Sequence, residues 1–181
     1  MAINVPWVKL PQTKYEQLRN GKRGVVFKLS PQYVGKIIYR QVRENKYELR
    51  HDKESLEELT HEHNICEKLY KNNIGNVPKP IGVDRLGILE SSYPTFIMEY
   101  ITLPRGDEIN HVDLGKATRL TISEIGKATD IGLLAGKDVL NPANFFYDTE
   151  KNQVRLIDFG RWTDLLKKYH DDEEYPQDRN I

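Results

Sequence analysis

Alternating apolar and polar residues predict several short strands in the first hundred residues. Residues 24–29 and 33–39 alternate with a period of two, and the polar turn 30–32 separates them. That period is typical of strands with one buried face. The stretch 77–82, punctuated by two prolines, leads into another strand, and the nearly continuous apolar run 94–101 predicts a buried one.

A spacing of three to four residues between apolar positions predicts helices in two other stretches. The first helix begins at Asp52, which can cap its start, and Gly75 follows its end. Its apolar positions are Leu56, Leu59, Cys66 and Leu69. Residues 111–133 have the same spacing and predict one helix or two short ones. The polar residues 41–51 predict a loop or an extra helical turn.

A hairpin is predicted near the end of the chain. Its strands are residues 145–147 and 154–157, and the polar residues 148–152 join them. The second strand ends at Asp158, after which Gly160 allows a sharp turn. A carboxylate at the end of a buried strand is well placed to hold a metal ion.

Composition narrows the class of protein. The chain has 181 residues, enough for one sizeable core or two small lobes. Lys plus Arg and Asp plus Glu number 27 each, so no net charge draws the chain to nucleic acid or to a membrane. The single cysteine, Cys66, excludes an intramolecular disulfide. No apolar run has the length of a membrane span, and the first ten residues lack the order of a secretory signal peptide.

Two glycines suggest a loop that could approach a ligand. Gly21 and Gly24 lie between strand-like segments, and Val26 follows them. Glycine lets the backbone come close to a ligand, and successive amide groups can cradle phosphate oxygens. An ordinary hairpin turn is the alternative interpretation. Lys36 lies inside the next strand, where it is either an edge charge or part of a site.

Three more candidate functional residues follow along the chain. Asp138 and Asn144 lie in the loop 136–144, and Asp158 begins the tripeptide Asp-Phe-Gly. Taken with the glycines and Lys36, these parts resemble, in sequence order, the motifs of the protein-kinase superfamily over about residues 15–162. The resemblance implies an α+β, protein-kinase-like fold as a single domain over residues 1–181.

The resemblance also implies how that domain is divided and what it binds. A β-rich N-lobe would cover about residues 1–101, a hinge about 102–107, and a strongly reduced helical C-lobe about 108–181. ATP and Mg²⁺ are the implied cofactors. Residues that would bind the nucleotide are Gly21, Gly24 and Val26 over the phosphates, Met98 as the gatekeeper beside the adenine, and Glu99 (carbonyl) and Ile101 (amide) on the adenine edge.

The implied catalytic residues lie in both lobes. Lys36 would bind the α- and β-phosphates, with Glu62 as its carboxylate partner and Glu58, one turn earlier, as the alternative. Asp138 would be the catalytic base that accepts the proton of the acceptor hydroxyl. The metal ligands would be Asn144 and Asp158.

The chain departs from the kinase pattern at several positions. Arg19 replaces the first glycine of the phosphate loop, and Gly136 and Lys137 replace the histidine and arginine before Asp138. Asn144 follows Asp138 by six residues, where the pattern has five. The first interpretation is an active protein serine/threonine kinase. The departures favour a second one, a pseudokinase that acts as a binding module.

A small-molecule phosphotransferase is the third possibility. Such enzymes normally add a long helical C-terminal part to hold the substrate, and 21 residues follow Gly160. In its short tail, its Gly-Lys-Asp loop and its Asn-Phe-Phe-Tyr-Asp run, the chain is similar to the HopBF-type minimal kinases that bacteria inject into host cells. That resemblance implies a monomer secreted into the host cytoplasm. Its substrate would be a folded host protein, with the 90-kDa heat-shock chaperone favoured.

Overall fold

The structure, a computed structural model, describes residues 15–20, 24–43, 46–88 and 91–166. Within these ranges the chain forms a mixed α+β fold with a β-rich sheet and two helices. The predicted α+β class is confirmed at this level. Neither helix in the described ranges is long and apolar enough to cross a membrane.

One antiparallel sheet dominates the first hundred residues. Its strands are β1 (Glu16–Asn20), β2 (Gly24–Lys28), β3 (Tyr33–Arg43), β4 (Lys46–Leu49), β5 (Pro80–Ile88) and β6 (Ser91–Glu99). The described strands follow the order β1-β2-β3-β6-β5, and β4 pairs with the far end of β3. Strand β3 is central, because β2 pairs with one of its edges and β6 with the other. A side chain in the middle of β3 is therefore held by backbone on both sides.

The prediction of a loop or helical turn over residues 41–51 is wrong. Strand β3 continues to Arg43, and β4 pairs with it in the register Tyr39↔Leu49 and Arg40↔Glu48. The cause lies in exposure: Arg40, Val42 and Glu48 all face solvent in this hairpin. Strand residues that face solvent need no apolar side chains, so the hydrophobic pattern gives no sign of this hairpin.

Helix α1 (Lys53–Lys71) packs one face against the sheet. The predicted cap is confirmed, because the Asp52 carboxylate accepts a hydrogen bond from the Ser55 amide at 2.8 Å. Its buried positions are Ser55, Leu59, Glu62, Ile65, Cys66 and Leu69. Leu56, predicted as an apolar position of this helix, is 36% exposed. It lies roughly 120° around the helix from Glu62.

Helix α2 (His111–Asp130) is one continuous helix. Of the two alternatives for residues 111–133, one helix or two short ones, the single helix is confirmed. The Asn110 side chain caps its start by accepting a bond from the Asp113 amide at 3.0 Å. The chain leaves the helix through Gly132, whose φ of +80° suits glycine.

Short strands follow α2 and flank the loops that contain Asp138, Asn144 and Asp158. They are β7 (Leu133–Leu134), β8 (Phe145–Asp148), β9 (Gln153–Leu156) and β10 (Thr163–Asp164). The predicted hairpin is confirmed, because β8 pairs with β9 from Phe145↔Leu156 to Asp148↔Gln153. Strand β10 returns to pair with β7. The two loops 135–144 and 157–162 are thus anchored at both ends.

A single apolar cluster joins the sheet, both helices and the β8–β9 hairpin. It includes Phe96 from the sheet, Leu59 from α1, Ala128 from α2 and Phe145 from the hairpin, all fully buried. A smaller cluster around Phe27 covers the other face of the sheet. The large cluster fixes α1 between the sheet and the loop that contains Asp158.

Candidate active site

Lys36 is at the centre of a three-residue ionic cluster. It lies in β3 opposite Val26 of β2 and Phe96 of β6. Its ammonium nitrogen Nζ lies 2.8 and 2.9 Å from the two carboxylate oxygens of Glu62, and 2.7 Å from Oδ1 of Asp158. The three residues are far apart in the sequence, so the fold itself brings them together.

Glu62, and not Glu58, is the carboxylate that pairs with Lys36. Glu62 lies on the buried face of α1 and is 3% exposed. Glu58, one turn earlier, accepts a bond from Arg50 Nη1 at 3.0 Å. Arg50 also binds Asp52, at the start of the same helix. The two glutamates are therefore distinguished by their positions around α1. Glu62 faces Lys36, and Glu58 faces Arg50.

Asp158 adopts a backbone conformation that is unusual for a residue other than glycine. Its φ is +64°, in the left-handed region. The chain is held on both sides of it, because Ile157 donates its amide to the Asn144 carbonyl at 3.0 Å and Phe159 donates its amide to Glu62 Oε1 at 3.2 Å. Phe159 is also buried. Strained residues held by their surroundings concentrate at functional sites, which makes Asp158 a candidate.

The charges of the cluster are strongly coupled. Burial by itself lowers the pKa of Lys36, but the carboxylates of Glu62 and Asp158 outweigh burial and raise that pKa above its usual value. Burial raises the pKa of Glu62, and the charge of Asp158 acts in the same direction, while Lys36 opposes both. One ammonium faces two carboxylates, so the cluster carries an excess negative charge when all three are ionised. Such a site favours a bound cation.

Asp138 and Asn144 lie in one compact loop. The Asn144 side-chain amide Nδ2 donates to the Asp138 carbonyl at 2.9 Å, and the Asn141 amide donates to the same carbonyl at 2.9 Å. A 3₁₀ turn over Pro142–Asn144, capped by the Asn141 side chain, takes up the longer spacing between Asp138 and Asn144. The extra residue is therefore accommodated inside the loop while its ends stay joined.

Sequence reasoning missed Arg161. Its Nη1 lies 3.4 Å from Oδ2 of Asp138, so the proposed base is paired with a cation that no motif assigns. The approach is possible because residue 136 is glycine. A Cβ atom at Gly136 would lie 2.7 Å from the Cβ of Arg161, closer than real Cβ contacts allow. The one signal in the sequence was this glycine in place of a histidine.

Two further contacts tie α1 to the chain that follows Asp158. His61 Nε2 lies 2.7 Å from the Trp162 carbonyl oxygen. Lys68 Nζ donates to both oxygens of Asp164 at 3.0 Å. These contacts join the Glu62–Phe159 bond in fixing α1 against the loop. No local pattern in the sequence indicates them, because the partners are about a hundred residues apart.

The glycine-loop residues are described in part. Gly21 lies outside the described residues. Gly24 is buried at the start of β2, and a Cβ there would lie 3.2 Å from Cε of Lys36 and 3.0 Å from the Ile37 carbonyl oxygen. Val26 is paired with Lys36 across the strands. Gly24 and Val26 therefore border the Lys36 side of the cluster.

The three predicted adenine-binding residues lie at and after the end of β6. Met98 pairs with Val34 of β3, and Ile101 is 7% exposed just beyond the strand. The Glu99 carboxylate binds Arg155 at 2.8 and 3.2 Å, a bidentate pair that ties the end of β6 to β9. That side chain thus has a structural task, and a nucleotide contact from Glu99 would come from its backbone.

Asp158 and Asn144 together offer donors that suit magnesium. No group of three or more His, Cys, Asp or Glu side chains suited to a metal occurs among the described residues. Mg²⁺ does not need one, since it is commonly held by one or two carboxylates together with phosphates and water. Asp158 supplies a carboxylate, and the Asn144 amide supplies an oxygen beside the Nδ2 that binds Asp138. By donor type, these residues fit Mg²⁺ bound with a phosphate ligand.

No protein-family model matches the chain, and no curated protein matches it at a significant level.

Proposed function

We propose that the chain is an ATP- and Mg²⁺-dependent protein serine/threonine kinase with a protein-kinase-like fold. The observation that carries this proposal is the contact of the Lys36 ammonium with both Glu62 and Asp158 at 2.7 to 2.9 Å. A lysine fixed by a helix glutamate and adjacent to the aspartate of Asp-Phe-Gly is what phosphoryl transfer requires for positioning phosphates and metal. The β-rich part, about 1–101, the hinge, about 102–107, and the helical part, about 108–181, would form one domain.

The chain's own residues would divide the task as follows. Lys36, oriented by Glu62, binds phosphate oxygens through its ammonium. Asp158 and Asn144 would hold magnesium, which would neutralise charge on the phosphates. Asp138 accepts the proton of the substrate hydroxyl, whose oxygen forms a bond to the γ-phosphorus. The bond from that phosphorus to the bridging oxygen breaks, and the electron pair leaves with ADP.

The nucleotide would lie between the glycine loop and the end of β6. Gly24 lets the backbone of β2 pack directly on the Lys36 side chain, because a Cβ there would lie 3.2 Å from Lys36 Cε. Residues assigned to this site are Gly21, Gly24 and Val26 for the phosphates and Met98, Glu99 and Ile101 for the adenine.

The substrate we propose is a folded protein of a host cell. This part rests on the resemblance to the injected minimal kinases, for which the 90-kDa heat-shock chaperone is the favoured partner. It includes delivery of a monomer into the host cytoplasm. Labelling a eukaryotic lysate with γ-³²P-ATP and the purified chain, then identifying the labelled bands, tests it. Labelling that requires the chain supports the proposal, and an unlabelled lysate contradicts it.

One observation favours a second function, that of a pseudokinase binding module. The Asp138 carboxylate is already paired with Arg161, so one of its oxygens is engaged before any substrate binds. The two functions differ in turnover. A binding module would bind ATP and a partner without releasing ADP, whereas a kinase would form ADP and phosphoprotein in equal amounts.

A matched pair of variants completes the test of the kinase proposal. Asp158→Ala removes the carboxylate assigned to magnesium. Asp130→Ala removes an exposed carboxylate at the end of α2 and serves as the control. We expect transfer to fall by about two orders of magnitude or more in the first variant, in line with the several kcal/mol that a metal clamp supplies, and to persist in the second.

A further inference from the structure

We propose that Arg161 is a further catalytic residue of this site, where its guanidinium holds Asp138 and contacts the transferred phosphoryl group. The inference rests on the proposed kinase function and adds to it a residue that no motif assigns. Its starting point is the distance of 3.4 Å between Arg161 Nη1 and Asp138 Oδ2.

A fixed turn holds Arg161 in place. The Trp162 amide donates to the Phe159 carbonyl at 3.0 Å, so Gly160 and Arg161 occupy the two central positions of a tight turn. Both flanking aromatic side chains are buried and meet edge to face at 5.8 Å. His61 binds the Trp162 carbonyl oxygen as well. The backbone of Arg161 is therefore anchored on both sides, independently of its own side chain.

Gly136 lets that turn pack directly on the loop that carries Asp138. A Cβ at position 136 would lie 2.7 Å from Arg161 Cβ, 3.0 Å from the Arg161 carbonyl oxygen and 3.1 Å from Asp138 Oδ1. A histidine here, as in the kinase pattern, would push Arg161 away from Asp138. The absent histidine and the present arginine thus belong to one arrangement.

The guanidinium has donors left for a second anion. It carries five N–H groups, and the contact with Asp138 lies at one terminal nitrogen. The Arg161 side chain is 45% exposed and that of Asp138 is 34% exposed, so a substrate can reach both from solvent. Lys36, in contrast, has its ammonium engaged by carboxylates of Glu62 and Asp158. Arg161 is the better placed of these two cations to contact a phosphoryl group as it moves toward the acceptor.

The step can be written with these residues. The acceptor hydroxyl loses its proton to Asp138 and its oxygen bonds to the γ-phosphorus, while the bond to the bridging oxygen breaks and ADP leaves with the electron pair. Negative charge on the three equatorial oxygens of the phosphoryl group meets the guanidinium of Arg161. An arginine supplied from within the same chain is a known way to stabilise this charge.

Steady-state kinetics of phosphate transfer test the proposal. Arg161→Ala should lower kcat by about 100- to 1,000-fold, as does loss of one preorganised donor to a transition state, and leave the KM for ATP within about threefold of the wild type. Arg161→Lys keeps the charge without the planar fork and should recover at least about tenfold over Arg161→Ala. Arg161→Gln keeps the length without the charge and should resemble Arg161→Ala. Arg119→Ala, at an exposed position of α2, is the control and should match the wild type.

The outcomes separate this inference from the proposed function. A wild type without transfer overturns both. An active wild type with unchanged kcat in Arg161→Ala overturns the inference alone. A faster Arg161→Ala also overturns it, since the pair would then be inhibitory. Equal activity of Arg161→Lys and Arg161→Gln, at wild-type melting temperature, would show that charge has no part and contradict it as well.

Discussion

Replacing Lys36 by methionine tests the ionic cluster through protein stability. Methionine keeps an unbranched stem of similar length, so it removes the ammonium and little packing. Glu62 then keeps the Phe159 amide at 3.2 Å as a partner but loses the charge 2.8 and 2.9 Å from its oxygens. Its side chain is 4% exposed, so the remaining carboxylate is buried without a counterion.

The magnitude follows from that burial. Removing one partner of a buried ion pair typically costs 3–5 kcal/mol, about a third or more of the stability of a small domain. The lost contact with Asp158 adds at most about 1 kcal/mol, because that side chain is 46% exposed. We therefore expect Lys36→Met to lower the free energy of unfolding by about 3–5 kcal/mol at pH 7, measured by urea denaturation.

A double variant shows whether the buried charge is the cause. Lys36→Met combined with Glu62→Leu removes both charges and should recover most of the lost stability. Lys53→Met breaks a pair with Glu57 that is 89% and 61% exposed, and should cost less than about 0.5 kcal/mol. If the double variant loses as much free energy of unfolding as the two single variants together, the unpaired Glu62 carboxylate is not the cause of the instability.

Other residues give three shorter predictions. Asp138→Asn should lower kcat by about 100-fold or more with nearly unchanged ATP affinity by fluorescence titration, and an equal loss of affinity would instead assign Asp138 to folding or metal binding. Gly136→Ala should displace Arg161 and lower kcat at least about tenfold. Gly126→Ala, where no atom outside the local helix backbone lies within 4 Å of the added Cβ, should leave kcat unchanged. Because the folded state raises the pKa of Lys36, its contribution to stability should be complete below about pH 10 and decline as pH rises further. In urea titrations at high pH, the free energy of unfolding of Lys36→Met should therefore fall less steeply with pH than that of the wild type.

Local patterns were enough to predict most of the secondary structure. Helix α1, its Asp52 cap and the β8–β9 hairpin follow from apolar spacing and turn residues, because each has a buried face and a defined end. The β3–β4 extension was missed for the opposite reason. Arg40, Val42 and Glu48 are exposed there, and nothing in the polar sequence distinguishes this strand pair from a loop.

Site residues could be predicted only where their order along the chain resembles a set of motifs whose members meet in the folded protein. The order of Lys36, Asp138, Asn144 and Asp158 resembles a known set of motifs, and the choice of Glu62 over Glu58 then needed the direction of α1. Arg161 has no such motif. Its contact with Asp138 depends on the close packing of two loops at Gly136, which is a property of the folded chain and not of any short segment.

The proposed kinase activity is measured most directly as the rate of γ-³²P transfer from ATP to a folded protein substrate. The purified chain is compared with Asp158→Ala, each with Mg²⁺ and with EDTA. We expect transfer by the wild type with Mg²⁺ only, and a rate at least about two orders of magnitude lower in Asp158→Ala. Equal rates for the two proteins, or transfer by the wild type that persists in EDTA, would contradict it.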